Sequence, residues 1–231
     1  LRSGAPLAWE ILEGCAERHR RGGAVGAAVA WAPAWRSPSR RSRPEVRVIG
    51  AIPEGSPAWK NSFAAGRVTE ADQVVTSAEG VAVKHPGDLP FALLNEFMDD
   101  LVTVTERDIN EMILLMLEKH KLVIEAAGAV SLAALEHLNL RSRKFASATG
   151  PHVVVPIMSG GNIDTVTMGA VIQKGMIARG RIMNFEVELP DTPGQLVKVR
   201  SCLLVNVRTL SLWITTSSRR PATIRMRFHS V

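Results

Sequence analysis

The sequence has only two cysteines, Cys15 and Cys202, too few for a disulfide framework or a structural zinc site of their own. It has no run of roughly 18 apolar residues that would predict a membrane-spanning helix. Its N-terminus lacks the basic, apolar and small-residue succession of a signal peptide. We therefore expect a cytoplasmic protein without a membrane partner. Because the first residue is Leu1 rather than a methionine, we also expect a fragment.

Metal-ligand patterns are missing as well. The six histidines are scattered, with no paired spacing on a predicted helix, so we expect no metal site. We find no internal repeat. With 46% hydrophobic and 22% charged residues in 231, the chain has the composition of an ordinary globular protein, with one large or two small domains.

The net charge of +6 would suit a nucleic-acid-binding protein, but its distribution argues against that class. Residues 45–191 contain 13 basic and 19 acidic side chains, so the well-patterned middle of the chain is acidic. The basic excess lies in two flanks, 14–44 and 192–231, and the second flank has no acidic residue. We therefore expect no nucleic-acid partner.

The first flank contains a segment without helical or strand periodicity, residues 31–44, which has three prolines, four arginines and three serines. Three interpretations stay open. The segment is a solvated linker, a basic arm for phosphate backbones, or the product of translation in a wrong reading frame, which tends to give text rich in Arg, Pro, Ser and Trp.

Between the flanks, strand-like and helix-like segments alternate. The periodicity predicts strands over 46–51, 101–104, 152–158 and 181–189, and helices over 56–65, 90–98, 129–138, 163–174 and 195–204. A further long helix follows Thr105. This alternation predicts an α/β fold with a mostly parallel sheet, followed by the opening of a small α+β module after residue 180.

The expected helix ends follow from local capping chemistry. Ser56 is the expected N-cap of the first helix, with Pro57 at its first position and Gly66 beyond its end. Thr105 is expected to cap the long helix, with Asp108 completing a capping box. The apolar stripe of that helix comprises Ile109, Met112, Ile113, Met116, Leu117 and, as a candidate, His120.

The sharpest local signal is Ser159-Gly160-Gly161-Asn162, between a predicted strand and a predicted helix. In open α/β sheets, ligands bind beyond the carboxyl ends of the strands. Two glycines would let the backbone approach a ligand closely, and Ser159 would offer a hydroxyl. The same residues also suit a tight strand-to-helix turn. Because four residues form a weak motif, both interpretations stay open.

Two other places are weaker candidates. Glu125 opens a small-residue junction that suits close packing or a ligand wall, although a carboxylate between apolar stretches is usually capped or salt-bridged. Gly22 and Gly23 belong to a glycine-rich segment of the kind that binds phosphate. The residues before that segment do not form the buried strand that such a loop should follow.

Several collinear stretches together resemble one family. They are RPEVRVIGAIPEGSPAWKNSFAAG at 43–66, EGVAVKHPGDLPFALLNEFMDDLVTVTERDI at 79–109, LVIEAAGAVSLAAL at 122–135 and MSGGNID at 158–164. The chain resembles the C-terminal half of threonine ammonia-lyase (threonine dehydratase), a pyridoxal-phosphate enzyme of fold type II, the tryptophan synthase beta-like fold. FEVELPDTPGQL at 185–196 is similar to the start of the ACT-like regulatory module of many such enzymes.

The resemblance implies a partial catalytic domain over 1–180 and a partial ACT-like module over 181–231. It implies that pyridoxal 5′-phosphate is the cofactor and that L-threonine is deaminated to 2-oxobutanoate and ammonia, as in isoleucine biosynthesis. It also implies an amino-acid effector at the ACT-like module and a homo-oligomer in the full-length form.

The resemblance further implies roles for single residues. Ser159 matches the serine that faces the pyridine nitrogen of the cofactor. The other expected site residues are the cofactor-lining Gly160 and Gly161, the phosphate-loop remnants Gly22 and Gly23, and the substrate-side candidate Glu125.

The departures from the family are specific. No lysine of the chain lies in the S-x-K-x-R-G context of the family's Schiff-base lysine, so we expect no catalytic lysine and no activity from this chain alone. Ile52 stands where many relatives have a glutamate that in some helps to bind a divalent cation. Two alternatives remain: a serine dehydratase or serine racemase relative that acts on L-serine, and a non-catalytic half-fold that binds an amino acid.

Overall fold

The computed structural model describes residues 27–28, 47–138, 154–189, 193–195, 197–198, 201, 209–213 and 222–229. The chain divides into two compact units, Leu1–Asp164 and Thr165–Val231. Within the described residues, no helix has the length and apolarity that crossing a membrane requires.

A parallel three-stranded sheet forms the centre of the first unit. Its strands are β1 (Ala27–Ala28), β2 (Ile49–Pro53) and β3 (Asp100–Val104), in the order β1-β2-β3. All five residues of β2 are buried, as expected for a central parallel strand.

The sheet register links distant parts of the chain. Gly50 of β2 lies between Ala27 of β1 and Leu101 of β3. β1 belongs to the flank 14–44, where the composition predicted irregular structure, so two residues of this flank extend the sheet. β2 runs to Pro53, further than the strand predicted over 46–51.

The first helix, α1 (Ala58–Ala65), packs against β2. The buried apolar cluster comprises Val48, Ile52, Trp59 and Leu94. Gly66 ends the helix with a φ of 65°, as predicted. The prediction that Ser56 caps the helix is wrong. Its hydroxyl accepts a hydrogen bond from the Val83 N–H at 3.1 Å, and Pro57 takes the N-cap position.

The next helix, α2 (Asp88–Phe97), was predicted over 90–98 and leads into β3. Between them, Asp99 joins the starts of β2 and β3. Its carboxylate accepts a hydrogen bond from the Val48 N–H at 2.8 Å and pairs with Arg47 at 3.0 Å. This contact holds the amino ends of two neighbouring strands together.

The long helix begins at the predicted place, as α3 (Glu106–Leu115), and its capping box is confirmed. The Asp108 N–H donates to the Thr105 hydroxyl at 3.2 Å, and the Thr105 N–H donates to the Asp108 carboxylate at 2.9 Å. The apolar stripe is buried as far as Met116. His120, the candidate last member, is exposed. It lies in a π-helical turn, which has more residues per turn than an α-helix and so rotates later residues off the stripe.

The π-helical turn, Met116–His120, ends at Lys121, which has a φ of 58°. The chain then reaches α4 (Ala126–Ala133) and a 3₁₀ turn, Ala134–His137. This helix begins three residues before the predicted span of 129–138.

Residues 154–164 contain no helix or strand, so the strand predicted over 152–158 is absent from its described part. An apolar run satisfies the strand pattern by itself, whereas a strand also needs a neighbour to pair with. The described residues of this run pair with no strand of the sheet.

The second unit contains α5 (Thr165–Ala178), predicted over 163–174, and β4 (Ile182–Leu189), predicted over 181–189. Two further strands, β5 (Thr209–Trp213) and β6 (Ala222–His229), complete an antiparallel sheet in the order β4-β6-β5.

The register of this sheet follows an alternation that the sequence reading missed. Met226 lies opposite Phe185 and Leu212, whereas the next residue along, Arg225, lies opposite Glu186. Apolar and polar positions therefore alternate along β4 and β6, as the period of a strand requires, whereas Trp213 of β5 also lies opposite Arg225. The ACT-like nature of this unit stays a prediction.

Candidate functional site

Glu125 lies where two segments of the first unit meet. It is the residue before α4, and its N–H donates to the carbonyl of Gly160 at 3.1 Å. This bond brings the Ser159-Gly160-Gly161-Asn162 segment to the start of α4. Sequence reasoning named both places as candidates, and the structure brings them together.

The contact requires glycine at position 160. Gly160 has a φ of 86°, a backbone conformation that costs little only for glycine. A Cβ at Gly160 would lie 2.1 Å from Oε1 of Glu125. A Cβ at Gly161 would lie 3.3 Å from the carbonyl oxygen of Val123, which is tight but not prohibitive. The segment is therefore a turn built for close approach, whether or not a ligand is bound.

A third segment, missed by the sequence reading, completes the site. Gly80 lies in the 3₁₀ turn Glu79–Val81. A Cβ there would lie 3.1 Å from Cβ of Ala127 and 3.9 Å from Oε1 of Glu125. We call Gly80, Glu125 and Gly160 the Glu125 corner. Gly80 lies within residues 79–109, one of the stretches that resemble the family. Only its tertiary contact with Glu125 and Ala127 distinguishes it from other loop glycines.

Two polar groups in and beside the Glu125 corner are available for a ligand. The Glu125 side chain is half-buried and makes no capping hydrogen bond. No charged partner for it exists within the described part of the chain. The expectation that this carboxylate is capped or salt-bridged therefore does not hold there. Ser159 is exposed, and its hydroxyl has no hydrogen-bond partner among the described residues.

Two other carboxylates of the first unit, Glu106 and Asp108, are engaged by neighbouring residues. Glu106, at the start of α3, accepts hydrogen bonds from the Thr76 hydroxyl and from the Ser77 N–H and hydroxyl, the last two at 3.1 and 2.6 Å. Asp108 pairs with His137 at 2.9 Å. Partial burial raises the pKa of Asp108, but hydrogen bonds from Thr105 and His137 outweigh burial and hold this pKa below its ordinary value of 3.8.

The remaining expected site residues lie elsewhere or outside the described part. Gly22 and Gly23 lie outside the described residues, so their phosphate-binding role stays a prediction. Ile52 is 1% exposed within an apolar cluster, and nothing about that position suits a cation. No group of three or more His, Cys, Asp or Glu residues within the described ranges could hold a metal ion.

The first unit is thus an α/β domain with a parallel sheet, in which a Ser-Gly-Gly-Asn loop packs on a carboxylate that pairs with no charged group among the described residues. That combination defines the class of fold type II cofactor enzymes that the sequence resembles. The family described as "Pyridoxal-phosphate dependent enzyme" matches residues 21–160. The chain belongs to this family of pyridoxal-phosphate-dependent enzymes, which confirms the expected family, fold and cofactor class.

Known proteins similar to this chain have related names. An L-threonine ammonia-lyase of Geobacter sulfurreducens is 39% identical over 160 residues, which are 69% of this chain and 38% of that protein. The structure resembles a threonine deaminase from T.th. with a TM-score of 0.61 and 27% identity, over 70% of this chain and 57% of that one. The fold of maize serine racemase also matches, with a TM-score of 0.61 and 22% identity, over 77% and 53% of the two chains.

The chain therefore spans little more than a third of the length of the Geobacter relative. The matched region includes the Glu125 corner and Ser159, and it ends at Gly160, before Gly161 and Asn162. These similarities do not test the ACT-like module.

Proposed function

We propose that this chain contributes one side of the cofactor site in a pyridoxal-phosphate-dependent L-threonine ammonia-lyase. The observation that carries the proposal is the Glu125 corner, where glycines from two segments leave an unpaired carboxylate accessible beside the exposed hydroxyl of Ser159. A half-buried carboxylate that no described residue pairs with is open to a ligand that displaces the water around it.

The residues present fit this cofactor. The Ser159 hydroxyl would hydrogen-bond to the pyridine nitrogen, as the resemblance implies, and Gly160 and Gly161 would let the ring approach the backbone. A neutral hydroxyl at that nitrogen would leave it largely unprotonated, which favours elimination over long-lived carbanion chemistry. When bound, pyridoxal phosphate withdraws electrons from the substrate and so supplies the hard chemistry. Gly22 and Gly23 are proposed to bind its phosphate.

Glu125 is proposed to act on the substrate side. Its Oε1 lies at the surface of both glycines of the Glu125 corner, so a ligand that fills the corner would contact it. An ionised carboxylate accepts hydrogen bonds only, and it would hold the ammonium or hydroxyl group of an amino acid. This is a binding and orienting role.

The proposed substrate is L-threonine, which would yield 2-oxobutanoate and ammonia. The 39% identity to the Geobacter L-threonine ammonia-lyase supports threonine. L-serine is the second candidate, and the similarity to maize serine racemase keeps it open at the level of the fold.

We also propose that the second unit is an ACT-like module that binds an amino-acid effector. Its antiparallel sheet in the order β4-β6-β5, with helical residues between β4 and β5, supports an α+β module of this kind. A homo-oligomeric full-length protein in the cytoplasm completes the proposal.

A chimeric enzyme tests the proposed activity. In the Geobacter relative, the 160-residue stretch that aligns with this chain would be replaced by the aligned stretch of this chain. We expect the chimera to form 2-oxobutanoate from L-threonine faster than it forms pyruvate from L-serine. A preference for serine would replace threonine as the substrate. A folded chimera with bound cofactor and no turnover of either amino acid would overturn the proposal.

A further inference from the structure

One side of α4 and its N-cap contacts the backbone of three residues in the Ser-Gly-Gly-Asn region, which are Ile157, Ser159 and Gly160. Glu125, Gly128 and Ser131 are three residues apart, so they lie on successive turns of one helix face. We propose that Gly128 and Ser131 are positioning residues that hold the backbone of Ser159 and Gly160 in place for the cofactor. The functional part of this inference rests on the function proposed above.

Ser131 fixes the chain two residues before Ser159. It is 5% exposed, and its hydroxyl donates to the carbonyl of Ile157 at 2.5 Å. Residues 154–164 have no strand partner, so a carbonyl there depends on donors outside a sheet ladder, which are side chains, single backbone N–H groups or water. Ser131 therefore replaces part of the ladder that an ordinary strand would have.

Gly128 fixes Ser159 itself. A Cβ at Gly128 would lie 2.1 Å from the carbonyl oxygen of Ser159 and 3.0 Å from its carbonyl carbon. Both are backbone atoms, so no flexible side chain can move aside to make room. Glycine inside a helix is unfavourable relative to alanine, and here the close approach accounts for it.

The third contact, from the Glu125 N–H to the Gly160 carbonyl, completes the row. Positions 125, 128 and 131 thus meet 160, 159 and 157 in reverse order. A shift of the Ser159 segment would break all three contacts, so each restrains the same displacement. Ser131 and Gly128 do not reach the ligand side themselves, and they act through Ser159.

Hydrogen exchange on the full 231-residue chain tests the placement without any cofactor. The Glu125 amide reports the contact directly, because its acceptor is Gly160. We expect Ser131→Ala to speed exchange at Glu125 by about tenfold and Gly128→Ala by more. The amide of Ile109 in α3, which donates to Thr105, should be unaffected.

Two matched variants separate positioning from general loss of stability. Ser62→Ala removes another buried serine hydroxyl, which donates to the Ala58 carbonyl at 2.7 Å, far from the site in sequence. Gly169→Ala adds a methyl group to a helical glycine with no atom within 4 Å of it. Neither should speed exchange at Glu125. Ser131→Thr keeps the hydroxyl and should restore slow exchange.

Binding of pyridoxine 5′-phosphate, followed by fluorescence, gives a second readout that needs no lysine, because this analogue lacks the aldehyde. We expect Ser131→Ala to raise its Kd about tenfold and Ser62→Ala to leave it unchanged. Equal exchange at Glu125 in wild type, Ser131→Ala and Gly128→Ala would overturn the inference. Faster exchange in these variants, with no analogue binding even by wild type, would support the placement and count against the cofactor proposal.

Discussion

The carboxylates at the starts of α3 and α4 differ in their hydrogen bonds and charged partners. At α3, Asp108 closes a capping box and pairs with His137, and Glu106 accepts three hydrogen bonds from the loop beside it. At α4, Glu125 makes no capping bond and, within the described residues, has no charged partner. The first pair of carboxylates builds the framework, whereas we propose that Glu125 binds a ligand.

The difference has a physical basis. A helix start offers free N–H groups, and a carboxylate there normally accepts one of them. At α4 the Glu125 side chain accepts none of the N–H groups of the first helical turn, and its carboxylate lies against the glycines of the corner instead. The helix start therefore lacks the stabilisation of a side-chain cap, and the corner has an accessible negative charge. Such a departure from local capping rules is typical of a functional site.

Gly160→Ala should cause the largest loss of stability. The new methyl group would collide with the Glu125 carboxylate, and the φ of 86° would be strained. We expect a loss of about 3 kcal/mol of unfolding free energy in urea. Gly169→Ala, where the space is open, should be neutral or slightly stabilising. A well-tolerated Gly160→Ala would contradict the packing described here.

Thr105→Ala should have the next largest effect. It removes the hydroxyl that accepts the Asp108 N–H and should cost about 1 kcal/mol. Glu125→Gln at the start of α4 should change stability by less than about 0.5 kcal/mol, because no described partner depends on its charge. Urea unfolding of the two variants measures the contrast, and equal losses would remove it.

Lowering the pH should reduce the stability that Asp108 contributes to the folded state. Because the folded-state pKa of Asp108 is lowered, the unfolded chain binds more protons in this range and stability falls with falling pH. The contribution of Asp108 is complete above its ordinary pKa of 3.8 and is lost as pH falls through the folded value. Asp108→Asn should flatten the pH dependence of the melting temperature between about pH 5 and 3. An unchanged slope in Asp108→Asn would show that other groups carry it.

The exposed ion pair should contribute least. Lys84 and Glu70 lie 3.2 Å apart, but their side chains are 59% and 57% exposed. Lys84→Ala should therefore cost less than about 0.5 kcal/mol, and salt should reduce even that. Lys60→Ala, at another exposed position, is the matched control. A clearly larger loss for Lys84→Ala would mean that the ion pair with Glu70 stabilises the fold more than its exposure suggests.

Local signals predicted the framework well. The Thr105 capping box, the apolar stripe of α3 and the Gly66 helix end each depend on residues within a few positions of one another, and the structure confirms them. The family and its fold followed from collinear motifs over a long stretch.

Long-range contacts account for the differences. Serine is a residue type that often caps helices, but the Ser56 hydroxyl accepts a hydrogen bond from the N–H of Val83, which is distant in sequence. Gly80 joins the Glu125 corner only through tertiary packing. No strand was predicted over β5 or β6, because both are short alternating stretches that become strands only by pairing with residues distant in sequence. None of these contacts is encoded in neighbouring residues.

The most direct test of the central claim compares ligand binding with stability in one variant pair. N-(5′-phosphopyridoxyl)-L-threonine, a stable conjugate that carries both the cofactor ring and the amino acid, would be titrated against wild type, Glu125→Gln and Ser159→Ala, with urea unfolding measured in parallel. We expect both variants to weaken binding about tenfold while unfolding stays within about 0.5 kcal/mol of wild type. Unchanged binding in both variants, or a loss of stability that matches the loss of binding, would show that the Glu125 corner belongs to the framework and not to a cofactor site.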